Sequence, residues 1–137
     1  MKNFQNKVAA ITGAGSGIGQ QLAILLAKQG CHLSLSDVND QGLAETVEQA
    51  KQYGVRITSK HVDVADREQV YAWAEETVQN HGSVNLIFNN AGVALGSTVE
   101  GASYEELEWI VNINFWGVVY GTKAFLPHLK ASKDGHI

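Results

Sequence analysis

The chain has 137 residues, 45% hydrophobic and 18% charged, a length and balance suited to one globular domain with its own core. A formal net charge of -4 without any Lys/Arg-rich run argues against a nucleic-acid or anionic-membrane surface, and no apolar stretch approaches the ~20 residues of a spanning helix. The lone Cys31 allows no internal disulfide, the histidines show no zinc-like spacing, and the N-terminus lacks a secretory apolar core, so a cytoplasmic protein without a metal site is expected.

Val8-Ala9-Ala10-Ile11 is a continuous apolar run ending in a Gly-rich turn, which predicts a strand buried on both faces. From Ile18 a helical stripe continues through Leu22, Leu25 and Leu26 until Gly30 supplies a stop signal. Residues 31–36 alternate toward a second strand that ends at Asp37. Asp40 is the expected cap of the next helix, whose stripe is Leu43, Val47 and Ala50 and which closes at Gly54. A third strand is expected over about 55–64, and Asp66 then caps a helix carrying Val70, Trp73, Ala74, Thr77 and Val78, ending near Gly82.

Val84 to Phe88 reads as a fourth buried strand leading into Asn89-Asn90-Ala91-Gly92. Ser103 and Glu106 have capping-box spacing and open one long helix through Leu107, Ile110, Val111, Val118, Ala124, Phe125 and Leu129. Pro127 should disturb it near its end by freeing the Lys123 carbonyl, and His136 and Ile137 read as the opening of a fifth strand. Repeated strand–helix alternation implies parallel pairing with helices on both faces. The expected fold is therefore α/β: a Rossmann-type doubly wound parallel sheet in three α/β/α layers. Residues 1–137 read as a single domain, truncated after the fourth strand and the long fourth helix and so incomplete at the C-terminal side.

Thr12-Gly13-Ala14-Gly15-Ser16-Gly17-Ile18-Gly19 lies between the first strand and first helix. Glycines there permit unusual backbone angles and a close ligand, while the following helix offers unpaired N–H groups and a positive dipole end, which suits a pyrophosphate. The alternative for such a turn alone is strand-to-helix packing. The spacing fits neither G-x-G-x-x-G nor a P-loop. Asp37 ends the second strand 20 positions after Gly17, where a doubly wound fold places the adenosine ribose. A carboxylate there can accept from both ribose hydroxyls and repels a 2′-phosphate. The neighbours Ser16 and Val38 supply no basic partner for that phosphate, so NAD is favoured over NADP. A plain turn or helix-cap aspartate is the other reading.

The turn matches T-G-x-x-x-G-x-G, and in this the chain resembles the short-chain dehydrogenase/reductase family from about Phe4 to Ile137. The resemblance implies an oxidoreductase that moves hydride between NAD and an alcohol or ketone, with Gly13, Ser16, Gly17, Ile18 and Gly19 at the cofactor diphosphate and Asp37 at the ribose. It assigns Asp63 and Val64, in His61-Val62-Asp63-Val64, to the adenine pocket, although Asp63 can equally begin a turn. Asn89-Asn90-Ala91-Gly92 matches the family's N-N-A-G and places Asn90, Ala91 and Gly92 beside the cofactor. Aligning Asn112-Ile113-Asn114-Phe115-Trp116-Gly117 on Asn-x-x-Gly picks Asn114 as the family's catalytic asparagine, which bends the helix and positions a water in a proton relay. Physics alone reads it as a satisfied buried amide.

The family's catalytic Ser and Tyr-x-x-x-Lys have no counterpart here; Tyr120-Gly121-Thr122-Lys123 is one residue too short and belongs to the preceding helix. Two readings follow. One is a portion of an NAD-dependent alcohol dehydrogenase or ketone reductase that acts on a small alcohol or ketone in full-length form. The other is a truncated, non-catalytic NAD-binding fragment, with this chain alone inactive. The resemblance also implies a homo-oligomer contact through the long helix.

Overall fold

The computed structural model describes residues 3–137. Val8–Thr12 forms β1 and is buried along its whole length, as a strand covered by helices on both faces must be. There follow α1 (Gly17–Lys28), β2 (His32–Asp37), α2 (Asp40–Lys51), β3 (Ile57–His61), α3 (Arg67–His81) and β4 (Leu86–Phe88). All pairings are parallel in the order β3-β2-β1-β4, with Ala9 opposite Leu33 on one side and Leu86 on the other. The chain steps outward from β1 to β3, then returns to the far side of β1. That reversal opens a crevice at the carboxyl ends of β1 and β4. The architecture is the expected Rossmann-type doubly wound sheet.

The predicted long helix runs without interruption over 104–132, but its winding changes part-way. It consists of α4 (Tyr104–Val111), a π-helical turn over Asn112–Trp116, and α5 (Gly117–Ser132). Alternation along β1 sends Ala9 and Ile11 to a core with Ala23, Leu26, Leu43 and Ala50 of α1 and α2. Val8 and Ala10 join the opposite core with Val70 and Trp73 of α3 and Phe125 and Leu129 of α5. Trp73 and Phe125 meet edge to face, their centroids 4.9 Å apart at 70°, a geometry worth about 0.5–1.5 kcal/mol beyond its buried area.

Local signals largely hold. Asp66 caps α3 by accepting from the N–H groups of Glu68 and Gln69, Gly82 closes that helix at a φ of 82°, and the Ser103–Glu106 capping box is formed in both directions. The cap of α2 is corrected: Asn39 accepts the Gly42 N–H at 3.1 Å, while Asp40 already lies in the first helical turn, where its charge suits the dipole. β3 and β4 are shorter than expected. Val62, Val64 and Val84 are buried just beyond the strand ends, where the Val62 N–H still donates to the Asp37 carbonyl at 3.2 Å. Pro127 does not stop α5, because it and Lys123 are both exposed and water can serve the freed carbonyl.

His136 pairs in parallel with β4 at Leu86, donating to the Asn85 carbonyl at 2.9 Å, as the predicted fifth-strand opening requires. Trp109, Phe115, Trp116 and Val118 are exposed along the α4–α5 rod. Among the described residues no helix is long and apolar enough to cross a membrane, and no cluster of His, Cys, Asp or Glu is placed to hold a metal ion. Burial pushes the Cys31 thiol up to about 12, which makes it an inert core group.

His81, at the end of α3, is buried with its Nε2 2.9 Å from the Thr58 hydroxyl and no hydrogen bond to Nδ1 among the described residues. Burial first, then the charges of Arg56 and His32, hold its imidazole down at about 4, against an ordinary 6.5. The unfolded chain therefore binds the proton more tightly. Stability should be full above pH 6.5 and decline as the pH falls toward about 4. For a side chain this buried, the loss by pH 4 is expected to be on the order of 3 kcal/mol. Urea unfolding across that range should show a shallower decline for His81→Gln; an unchanged pH slope would remove His81 as the cause.

Candidate functional site

The loops that leave the carboxyl ends of the strands converge on a cleft of about 380 Å³. The first of them is pinned at its crown. The Ala14 N–H donates to the Ser36 carbonyl at 3.0 Å and the Gly15 N–H donates to Asp37 Oδ2 at 2.8 Å. Gly13 has a φ of 65° and lies so close to the next loop that an added Cβ would sit 2.9 Å from Ala91 Cα. Only glycine satisfies both demands.

The loop enters α1 through Ser16, whose backbone is extended and whose hydroxyl makes no capping bond. The first-turn N–H groups thus have no side-chain partner, beside a cleft lined by Gly13, Ser16, Gly17 and Ile18. A Cβ added at Gly17 would meet nothing within 4 Å. Gly19 behaves differently. It does not line the cleft, and an added Cβ would fall 2.1 Å from the Gly13 carbonyl oxygen and 2.6 Å from Asn90 Nδ2. Its part is to let the first turn of α1 press against the end of β1.

At the end of β2, Asp37 faces the cleft with its carboxylate held at two points: Oδ2 by the Gly15 N–H, and Oδ1 by the Asn39 N–H at 2.9 Å. Each oxygen keeps a further acceptor site for a ligand. Asp63 and Val64 line the next stretch of wall, and Asp63 Oδ1 accepts the Ala65 N–H at 2.9 Å.

Beyond β4, Asn90, Ala91 and Gly92 form the opposite wall. Asn90 Nδ2 donates to the carbonyls of Thr12 at 3.0 Å and Gly13 at 3.2 Å, joining this wall to the glycine loop. The Thr12 hydroxyl accepts the N–H groups of Asn90 and Ala91, both at 3.0 Å, and donates to the Phe88 carbonyl at 3.3 Å. Thr12 is therefore the knot between β1 and β4.

Asn114 sits in the π-helical turn, exposed and not buried as expected, and does not line the cleft. Its Oδ1 accepts the Val93 N–H at 2.9 Å and its Nδ2 donates to the Val93 carbonyl at 2.8 Å. This two-bond latch ties the loop after Gly92 to the helical rod and presents Val93 and Ile113 to the cleft. Those two, with Val38 and Val62, complete the lining. They escape sequence reasoning because an apolar residue at a loop or helix position carries no ligand signature.

A family model described as short chain dehydrogenase matches residues 7–137. The chain belongs to the short-chain dehydrogenase family. Among curated relatives, SadH of Mycobacterium tuberculosis, named as an oxidoreductase, is 50% identical over 137 residues that cover 100% of this chain and 50% of the relative. Human epidermal retinol dehydrogenase 2 is 35% identical, with 99% of this chain and 44% of the relative covered. The crystal structure of a short-chain dehydrogenase/reductase from Burkholderia phymatum in complex with NAD matches with a TM-score of 0.92 at 37% identity, over 96% of this chain and 47% of that one. The chain spans about half the length of the curated relatives it matches.

Proposed function

We propose that this chain is the dinucleotide-holding part of an NAD-dependent oxidoreductase that moves hydride between the nicotinamide and an alcohol or ketone. The observation that carries the reading is the shared cleft. The unpaired N–H groups at the start of α1 and the clamped Asp37 carboxylate line one cavity, where glycines at Gly13 and Gly17 leave room for close approach. The residues fit the group: Ser16, Gly17 and Ile18 would hold the diphosphate, Asp37 the adenosine ribose, Asp63 and Val64 the adenine, and Asn90 to Gly92 the second ribose. When bound, the nicotinamide supplies the hydride acceptor or donor.

The chain's own residues bind and orient. Asp37 offers acceptors to vicinal hydroxyls and repels a phosphate in their place, and among the described residues no lysine or arginine lines the cleft to offset that repulsion. NAD is thereby preferred over NADP. We also infer that the chain by itself binds without turnover. Tyr120 and Lys123 lie in α5, where Tyr120 is stacked on Trp116 at a centroid distance of 5.8 Å. Neither residue lines the cleft. Oxidation of secondary alcohols by the 137-residue chain would contradict this.

Fluorescence titration with NADH and NADPH tests the cofactor reading. Saturable NADH binding is expected, weaker NADPH binding, and a loss of about tenfold or more in NADH affinity for Asp37→Ala, since charge-assisted hydrogen bonds are removed. No response at millimolar NADH would end the reading.

A further inference from the structure

We propose that Thr46, on α2, is a positioning residue that sets the orientation of the diphosphate-binding loop; this rests on the cofactor reading above. Thr46 is fully buried, and its hydroxyl lies 2.8 Å from the Ala14 carbonyl and 3.0 Å from the Gly42 carbonyl, while accepting from Gln20 Nε2 at 2.9 Å. A hydroxyl carries one proton. The Gly42 carbonyl stands four residues before Thr46 in α2, where the helix ladder supplies it with a backbone N–H. The Ala14 carbonyl belongs to a fully buried loop residue and is the nearer of the two, so it is the acceptor in need of the proton.

The geometry gives that bond a consequence at the site. The Ala14 carbonyl and the Gly15 N–H are the two ends of a single planar peptide unit. One end receives the Thr46 hydroxyl and the other donates to Asp37 Oδ2. Gripped on both edges, that peptide cannot rotate without breaking one contact. The same helix closes on the loop at Gly42, where an added Cβ would lie 2.4 Å from the Gly15 carbonyl oxygen. α2 thus sets the loop from behind, and Thr46 links that setting to the ribose-binding carboxylate although it does not line the cleft itself.

The test uses the full chain, with NADH titrated by fluorescence and folding followed separately by circular dichroism. Thr46→Val keeps the shape and removes the hydroxyl, and it is expected to weaken NADH binding about fivefold to tenfold. Thr46→Ser restores the hydroxyl and should return affinity to within about twofold of the wild type. In an Asp37→Ala background, Thr46→Val should have a smaller effect than alone, because both side chains act on one peptide unit.

A merely structural role would lower the unfolding midpoint and leave NADH affinity of the folded chain unchanged. That result, a failed rescue by Ser, or full additivity with Asp37→Ala would overturn the inference. If wild-type chain fails to bind NADH, the cofactor reading falls first and takes this with it. Should Thr46→Val not fold, the wild type still decides: a slowly exchanging Thr46 hydroxyl proton in its NMR spectrum supports the bond, and a rapidly exchanging one overturns it.

Discussion

Gly19→Ala is expected to abolish measurable NADH binding and to destabilise the chain by about 3 kcal/mol. Helix propensity alone points the other way, since replacing a helical glycine by alanine gains about 0.5–1 kcal/mol. Sterics decide the sign. The new methyl would stand 2.1 Å from the Gly13 carbonyl oxygen and 2.8 Å from the carbon that bears it, and both are backbone atoms of the loop. No side-chain rotation relieves such a contact. Relief requires α1 to withdraw from the end of β1, which pulls the first-turn N–H groups away from the cleft and strains the Asn90 bonds to Thr12 and Gly13. Urea unfolding with an unchanged slope and NADH titration of the folded fraction check the two parts. Wild-type affinity in this variant would show that the packing of Gly19 does not set the site.

Gly121→Ala should cost about 2 kcal/mol, again against the helix preference for alanine. Here the added Cβ would lie 2.1 Å from Asn89 Oδ1, a buried oxygen without a hydrogen-bond partner among the described residues. Asn89 can move aside only by releasing the Thr122 hydroxyl, which its Nδ2 reaches at 3.1 Å. Because Asn89 leads directly into Asn90, the disturbance should also reduce cofactor affinity. The clash is relievable in this case. Asn89→Ala combined with Gly121→Ala should be more stable than Gly121→Ala alone, a favourable coupling that a double-mutant cycle in urea measures directly. A Gly121→Ala variant that melts above the wild type would place α5 farther from Asn89 than the structure does.

These two variants also show how far a glycine can be read from its neighbours. Gly17 and Gly19 stand two positions apart in the same motif, yet one is open to the cleft and the other is shut against a carbonyl. Local pattern marks both as places where a side chain is unwelcome. Which of them a ligand uses depends on where β4 and its following loop lie, and Asn90 reaches Gly13 across 77 positions of sequence. The same holds for Asn114. Its spacing to Gly117 marks it as unusual inside an apolar helix, but only the folded loop reveals that its amide is engaged by Val93. The π-helical turn around it coincides with the close approach of Gly117 to Val64, whose Cγ2 would be 2.9 Å from an added Cβ.

What the sequence determined by itself is the local chemistry: the buried apolar run of β1, the glycine turn entering α1, the acid at the end of β2, and the caps at Asp66 and Ser103. The two caps are satisfied within about one turn of chain, and the strand, the glycine turn and the acid are marked by residue type and spacing alone. The tertiary structure alone decided that Thr46 buries a hydroxyl against Ala14, that Thr12 ties β1 to β4, and that the Asn114 amide engages Val93. Those features depend on groups far apart in sequence meeting at hydrogen-bond distance. Packing of the two cores against the sheet brings them there, and no local preference encodes it.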